Sequence, residues 1–356
     1  MDQAISTLSA QIQSAAAERR ALRVRAGGTK DFYGNPPRGA LLDPRVASGI
    51  VTYEPSELSI AARSGTPLAE VEATLDAAGQ MLAFEPPYFG EGATIGGCIA
   101  SGLAGPRRAA QGYSYGGVRD FVLGAKLLDG RGQLLSFGGM VMKNVAGYDV
   151  ARLLAGSLGV LGVIIEVALK VVPRPKLETT LQIPMEETAA LARLNDWGGQ
   201  PWPISACAWQ HDTLSLRLSG SAAAVIAARS KLPGNALDES DAAAFWRNIR
   251  EHTDPFFAGT APLWRLSLPS TAEPVALGAE QLIEWGGALR WIRSSLPAAE
   301  IRARAQVLGG HATLFRGGER AEGVFTPLSP AIFAIHQRLR SQFDPAGIFD
   351  AQRMYR

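Results

Sequence analysis

The side chains of this 356-residue chain that are best suited to bond-making chemistry are few and lie in its second half. His311 opens and Arg316 closes the alternating stretch "HATLFR", while Arg265 sits in "LWRLSL" and Arg290 in "GGALRW". A guanidinium grips a carboxylate through two parallel N–H bonds, and an imidazole that titrates near neutrality can take a hydroxyl proton. The plainer alternative, a satisfied structural histidine and surface arginines, stays open for each. The four histidines, His211, His252, His311 and His336, are isolated, and no pair has ligand spacing, so no metal is expected. Cys98 and Cys207 stand far apart without a CxxC pattern, which argues against zinc, a disulfide framework or an iron–sulfur cluster wanting four thiolates.

A second kind of chemistry needs no side chain. Of the 39 glycines, 18 fall between positions 90 and 162, which marks this fifth of the chain as the place where backbone comes close to something. Three segments stand out: "RAGGTK" (25–30), "GATIGGCIASG" (92–102) and "GSLGVLG" (156–162). Turns of this kind at strand and helix ends present amide groups that bind phosphate oxygens without a lysine. The middle segment is not a Rossmann fingerprint, because Ile95 stands where the third glycine belongs and Glu85-Pro86-Pro87 replaces the apolar strand. A tight turn explains any one segment; three in order favour one extended ligand.

The bulk composition excludes other classes. With 35 basic and 33 acidic residues the net charge is only +2, and the basic residues are scattered, so no nucleic-acid footprint is present. The N-terminal stretch lacks a basic n-region, so it is no secretory signal; with the cysteine usage this points to a reducing, cytoplasmic setting. The most apolar run, "LLAGSLGVLGVIIEVALKVV", is interrupted by Glu166 and Lys170 and is too short to span a bilayer; any membrane association would be peripheral, at the inner face, or through a partner.

These residues need elements to hold them. Ile5, Leu8 and Ile12 mark one face of an N-terminal helix. Leu22–Arg25, "GIVTY" and "LSIAAR" read as strands, followed by a helix with Thr66 as N-cap, Pro67 at its first position and Gly79 as its stop. "FVLGAKLLDGRGQLLSF" reads as a hairpin turning at Asp129-Gly130, then a helix at Asp149–Leu154 and a strand Val163–Val172. After "VVPRPK" the texture changes to strands alternating with alanine-rich helices. A first domain over 1–175, an α+β domain with an antiparallel sheet over 176–340, and a tail over 341–356 returning to the first domain are expected. The terminal helix begins at Ser329-Pro330, with Ile332, Phe333, Ile335 and Leu339 apolar.

The order and wording of the three glycine segments resemble the FAD-binding half of the vanillyl-alcohol oxidase and p-cresol methylhydroxylase flavoprotein family over residues 20–174. That resemblance implies a PCMH-type FAD-binding domain of two subdomains followed by an α+β cap. It implies that Gly27, Gly28 and Thr29, then Gly92, Thr94, Ile95, Gly96, Gly97 and Ser101, hold the pyrophosphate and ribityl chain. Gly156, Gly159, Gly162 and Ile164 would meet the adenine side, and some of Tyr115, Arg119, Asp120, Lys143, Asn144 and Tyr148 would lie around the flavin or its phosphates.

"KNVAGYD", "PLWRLSLP", "EWGGALRW", "GGHATLFR" and "FDPAGIFDAQRMY" further resemble the smaller FAD-binding subunits of bacterial glycolate oxidases, although Asp350-Ala351-Gln352 stands where Asn-Pro-Gly is usual. The resemblance implies glycolate or a similar 2-hydroxy acid as substrate. It implies a larger flavin subunit and an iron–sulfur subunit as partners, with electrons passing towards quinone. Thr29 and Lys30 stand where histidyl-FAD members carry His, so the FAD is expected to be non-covalent. Two rivals remain: a self-sufficient 2-hydroxy-acid dehydrogenase, and a non-catalytic flavin-holding or electron-relay subunit. Trp264, Trp285 and Trp291 could wall the flavin or simply fill the core.

Overall fold

The computed structural model describes residues 2–109, 116–139 and 149–355. Two antiparallel sheets organise an α+β chain. The first runs Ile50–Glu54, Ser59–Arg63, Val163–Lys170, Val122–Leu128, Leu134–Gly138 in spatial order. Its middle strand, "VIIEVALK", is buried on both faces apart from Glu166 and Lys170, as a continuous apolar run demands. Helices Leu68–Ala77 and Ile95–Ser101 pack Leu68, Val71, Leu75, Ile95 and Ile99 onto this sheet. The N-terminal helix Gln3–Ala17 buries Ile5, Leu8 and Ile12 in a separate cluster with Leu22, Ile348 and Phe349.

The second sheet has eight strands, all antiparallel, ending with Gln281–Glu284, Leu289–Arg293, Leu263–Ser267 and His311–Arg316 side by side. Helices Glu187–Gly198 and Ala222–Arg229 cover its far portion, where Leu181, Leu216 and Leu218 meet Leu194 and Val225.

Several local expectations shift. The Leu68–Ala77 helix is capped by Pro67 without a side-chain bond, because the Thr66 hydroxyl instead accepts from the Gly49 amide (2.9 Å) and donates to the Arg63 carbonyl (2.7 Å). The hairpin closes through residues 129–133 rather than a two-residue turn: the Asp129 carboxylate accepts from the Arg131 and Gln133 amides (2.9 and 2.8 Å), and Gly132 takes the positive φ. A 3-10 turn, Ala151–Leu154, replaces the helix expected at 149–154. The terminal helix Pro330–Phe343 starts as expected at Ser329. Its Leu339 and Phe343 pack against the first half, while Ile332 and Ile335 remain about half exposed.

The tail from Ile348 lies against the first half. Leu22 donates to the Ile348 carbonyl (2.7 Å), Asp350 donates to the Leu22 carbonyl (3.2 Å), and Asn35 Nδ2 bonds the Gln352 and Met354 carbonyls (2.7 and 3.0 Å). An ion-pair cluster joins the two halves. Glu85 accepts from the Arg107 amide (3.1 Å) and from Arg217 Nη2 (2.8 Å), and Arg107 Nη2 reaches Glu178 (2.5 Å). Burial works to raise the Glu85 carboxyl, but the Arg217 and Arg107 guanidinia overcome it and hold it at about 2.

Candidate functional site

The three glycine segments converge on one cleft. Gly27, Gly28 and Thr29 line it together with Gly92, Thr94, Gly96, Gly97 and Ser101, and Gly159, Gly162 and Ile164 complete it. Their contributions differ. From Ala26 through Lys30, five consecutive amides donate to no acceptor among the described residues. In the second segment the amides of Ile95 and Gly96 are engaged by the Thr66 and Ser64 carbonyls (3.0 and 2.9 Å), and that of Gly97 by Thr94 Oγ1 (3.1 Å). The first turn is therefore the donor, whereas the second serves close approach: the Ile95–Gly97 amides do not offer themselves to a phosphate.

Glycine is required for that approach. A Cβ on Gly27 would run into the Gly92 carbonyl, one on Gly96 would meet Ser64, and Gly28 holds φ +72°. The Ser64 side chain adds a polar group that lacks a partner: its hydroxyl oxygen is buried at the cleft wall without a hydrogen bond. Lys30 and Arg25 line the same space; Lys30 Nζ donates to the Tyr88 carbonyl (3.1 Å), and burial lowers its pKa. Arg25 is ion-paired with Asp31 of the same lining (2.5 Å), so free amides, absent Cβ atoms, an orphan hydroxyl and the cations Lys30 and Arg353 suit an extended anionic ligand.

Not every expected contact lies there. Ile95 points into the core, fully buried. Asp120 lines neither cleft, because its carboxylate accepts from its own Gly117 amide (2.7 Å). Tyr115, Lys143, Asn144 and Tyr148 lie outside the described residues. Cys98 is buried in the core, where desolvation pushes its thiol up to about 12, and it is absent from the cleft lining, as is any histidine.

Ser101 also lines a second cleft of about 520 Å³, whose walls carry Arg119 and Gly156 from the first half and Arg265 and His311 from the second. Strand register creates that pair: Leu263–Ser267 runs antiparallel to His311–Arg316, setting Arg265 opposite Thr313 and Ser267 opposite His311, so all four share a face. Desolvation and then the Arg265 guanidinium lower the His311 imidazole below its usual value, which favours the neutral, proton-accepting form at pH 7.

Arg316 and Arg290 do not join them. The Arg316 guanidinium packs 4.2 Å from the Phe32 ring and 4.9 Å from Phe89. Arg290 is completely buried; its guanidinium donates to the carbonyls of Ala272 (2.6 Å), Glu273 (2.7 Å) and Gly287 (3.1 Å), so it fastens a loop and offers nothing to a substrate. Trp264 and Trp291 are core residues, and Trp285 lies beneath two arginines of the second cleft.

As site residues, sequence reading passed over Ser64 and Lys30 of the first cleft and Arg108 of the second. Lys30 follows the first Gly-Gly-Thr directly and was the most accessible of these; Arg108 was visible only as half of a basic doublet. Among the described residues, no group of three or more His, Cys, Asp or Glu side chains could hold a metal, and no helix is long and apolar enough to cross a membrane.

Comparison with known proteins adds independent findings. Residues 3–138 match the family model for an FAD binding domain. The glycolate oxidase subunit GlcE of Escherichia coli is 47% identical over 345 residues, covering 97% of this chain and 95% of that protein. A D-lactate dehydrogenase of Anaerostipes hadrus is 32% identical over 148 residues, 42% of this chain and 30% of the relative. Among solved structures, an alkyldihydroxyacetonephosphate synthase superposes with a TM-score of 0.66 at 14% identity, covering 99% of this chain and 75% of its own, which establishes a shared fold.

Proposed function

The chain belongs to the family of the glycolate oxidase subunit GlcE and carries an FAD-binding domain, and from that premise we propose that it is the FAD-binding subunit of a complex oxidising glycolate and similar 2-hydroxy acids. One observation carries the reading: Ser101 lines both the glycine cleft and the cleft that holds Arg265 and His311, so the two sites adjoin. A cofactor held in the first can thus face a small acid held in the second.

The residues present fit FAD. The Ala26–Lys30 amides, Lys30 and the Ser64 hydroxyl would hold its pyrophosphate, with Gly92, Gly96 and Gly97 allowing the chain to pass close to the backbone. When bound, FAD supplies the acceptor for a two-electron oxidation at the carbon bearing the hydroxyl. Arg265 holds the substrate carboxylate, and His311, neutral at pH 7, receives the hydroxyl proton. Among the described residues neither His nor Cys lines the first cleft, which supports a cofactor held without a covalent bond.

Both cysteines are buried and apart and cannot hold an iron–sulfur cluster, so electrons leave this chain through a partner or a soluble acceptor. The family resemblance implies an iron–sulfur subunit beside a larger flavin subunit, with quinone beyond. Anaerobic mixing of the FAD-loaded chain with glycolate, alone and with its co-purified partners, tests this. Flavin bleaching that His311→Gln slows about 100-fold or more with little change in half-saturating glycolate is expected. Bleaching indifferent to His311 would remove that residue from the chemistry.

A further inference from the structure

The second cleft carries more positive charge than one carboxylate-binding arginine explains. Arg108, Arg119 and Arg265 all line it, and among the described residues its lining contains no Asp or Glu. Two of these cations share a single aromatic ring. Arg108, from the 3-10 turn Pro106–Ala109, and Arg265, from the strand Leu263–Ser267, place their guanidinium carbons 4.4 and 5.2 Å from the centroid of Trp285. Neither guanidinium has a hydrogen bond or an ion pair among the described residues.

The carboxyl groups facing them offset their charge only in part. Asp120 lies within electrostatic reach of Arg108, but its carboxylate accepts from the Gly117 amide and forms no ion pair with the guanidinium. Glu284, within electrostatic reach of Arg265, is pushed up to about 7 by burial, against the opposing Trp291 hydrogen bond and the Arg265 charge, so it is half protonated near neutrality. Cation–π contact with one indole offsets part of the repulsion between two guanidinia but removes neither charge.

The platform itself is held in place. Trp285 is buried and adopts φ +53°, a left-handed conformation costly for a bulky residue. Its Nε1–H donates to the Gly105 carbonyl (3.0 Å), just before the turn that bears Arg108, and the following Gly286 amide donates to Cys207 Sγ (3.0 Å). The ring is therefore tied to both halves of the molecule, and so are the two guanidinia resting on it. Strain maintained at such a point, under two cations without a direct ion-pair partner among the described residues, calls for an anion.

We propose that Arg108 and Arg265 form a two-arginine clamp, supported on Trp285, that grips the substrate carboxylate from both halves of the molecule. This rests on the reading that the cleft receives a 2-hydroxy acid, and it adds Arg108 as a specificity-determining residue. The clamp selects free acids: an amide or ester of the same shape leaves both guanidinia without their counter-ion.

Calorimetric titration of the FAD-loaded full-length chain with oxalate, and with neutral glycolamide for comparison, provides the test. R108Q and R265Q should each weaken oxalate binding about 10- to 100-fold and leave glycolamide affinity unchanged. R193Q, at an exposed arginine remote from the cleft lining, should match the parent. Should R108Q lose its flavin, R108K carries the test: a lysine retains the charge without the planar fork, and oxalate should bind about 3- to 10-fold more weakly. Unaltered oxalate affinity in whichever Arg108 variant retains flavin would overturn the clamp. If glycolate fails to reduce the parent flavin while oxalate binding still depends on Arg108, the clamp stands and the hydroxy-acid reading falls.

Discussion

The glycine cleft and the arginine cleft adjoin at Ser101, yet they are built by opposite means. The first works by what is missing: no Cβ at Gly27 or Gly96, and no internal acceptor for the Ala26–Lys30 amides. The second works by what is added, Arg108 and Arg265 on an indole with His311 nearby. A backbone site tolerates no enlargement, whereas a side-chain site tolerates truncation at a graded loss. The difference predicts how each should fail.

The largest effect should come from adding atoms to the first cleft. Gly27→Val would drive a side chain into the Gly92 carbonyl, and FAD affinity should fall at least about 100-fold. Flavin content of the purified variant measures this; a variant retaining stoichiometric flavin would show that the two segments do not need to touch.

Next in size is the joint that aligns the two clefts. Glu85→Gln leaves the buried Arg107 and Arg217 without their shared carboxylate and should lower stability by about 3 kcal/mol at pH 7 in a denaturant titration. Because the folded-state carboxyl is held at about 2, below its unfolded value, the contribution is complete above about pH 4.5 and disappears as pH falls through 2. The parent and variant should therefore converge in acid. A constant gap across that range would mean that the loss is one of packing.

Glu284, beneath the arginine cleft, has the reverse sign. Its folded-state value of about 7 exceeds the unfolded one, so the native state binds the extra proton and stability declines as pH rises from about 4.5 through 7. Glu284→Gln can preserve the bond from Trp291 Nε1 and should make the protein about 2 kcal/mol more stable at pH 8, with little change at pH 4. Melting curves across that range would show it; an equal change at both ends would exclude the carboxyl's titration as the cause.

The smallest effect returns to the first cleft. Ser64→Ala removes an unpartnered hydroxyl, so the flavin-free chain should keep its stability while FAD binds about 1 kcal/mol more weakly, roughly 5-fold. Equal FAD affinity would remove Ser64 from the cofactor's hydrogen bonds.

The two clefts also differ in how far the sequence disclosed them. Glycine requirements are local, so "RAGGTK", "GATIGGCIASG" and "GSLGVLG" could be recognised and their convergence anticipated. Even there, the division of labour was hidden: that Thr66 and Ser64 occupy the helix-start amides depends on how the Ser59–Arg63 strand leads into its turn. The arginine cleft has no local signature. His311 and Arg265 meet through the register of adjacent strands, and Arg108 reaches them only when the two halves dock around Trp285 and Glu85. Arg290 and Arg316 carry the same sequence texture as Arg265, a lone arginine among apolar residues. One is absorbed by loop carbonyls and the other by phenylalanine rings, a fate decided by tertiary packing alone. The alternating second-half strands were legible as an antiparallel sheet because the period-two pattern reports which face is buried.

The most direct test of the central claim is the flavin itself. Acid precipitation of the purified full-length chain should release about one FAD per chain into the supernatant, the stoichiometry of a single cleft that holds its cofactor without a covalent bond. Flavin remaining with the precipitate would contradict that mode of binding, and a chain that neither carries nor takes up FAD would contradict the account as a whole.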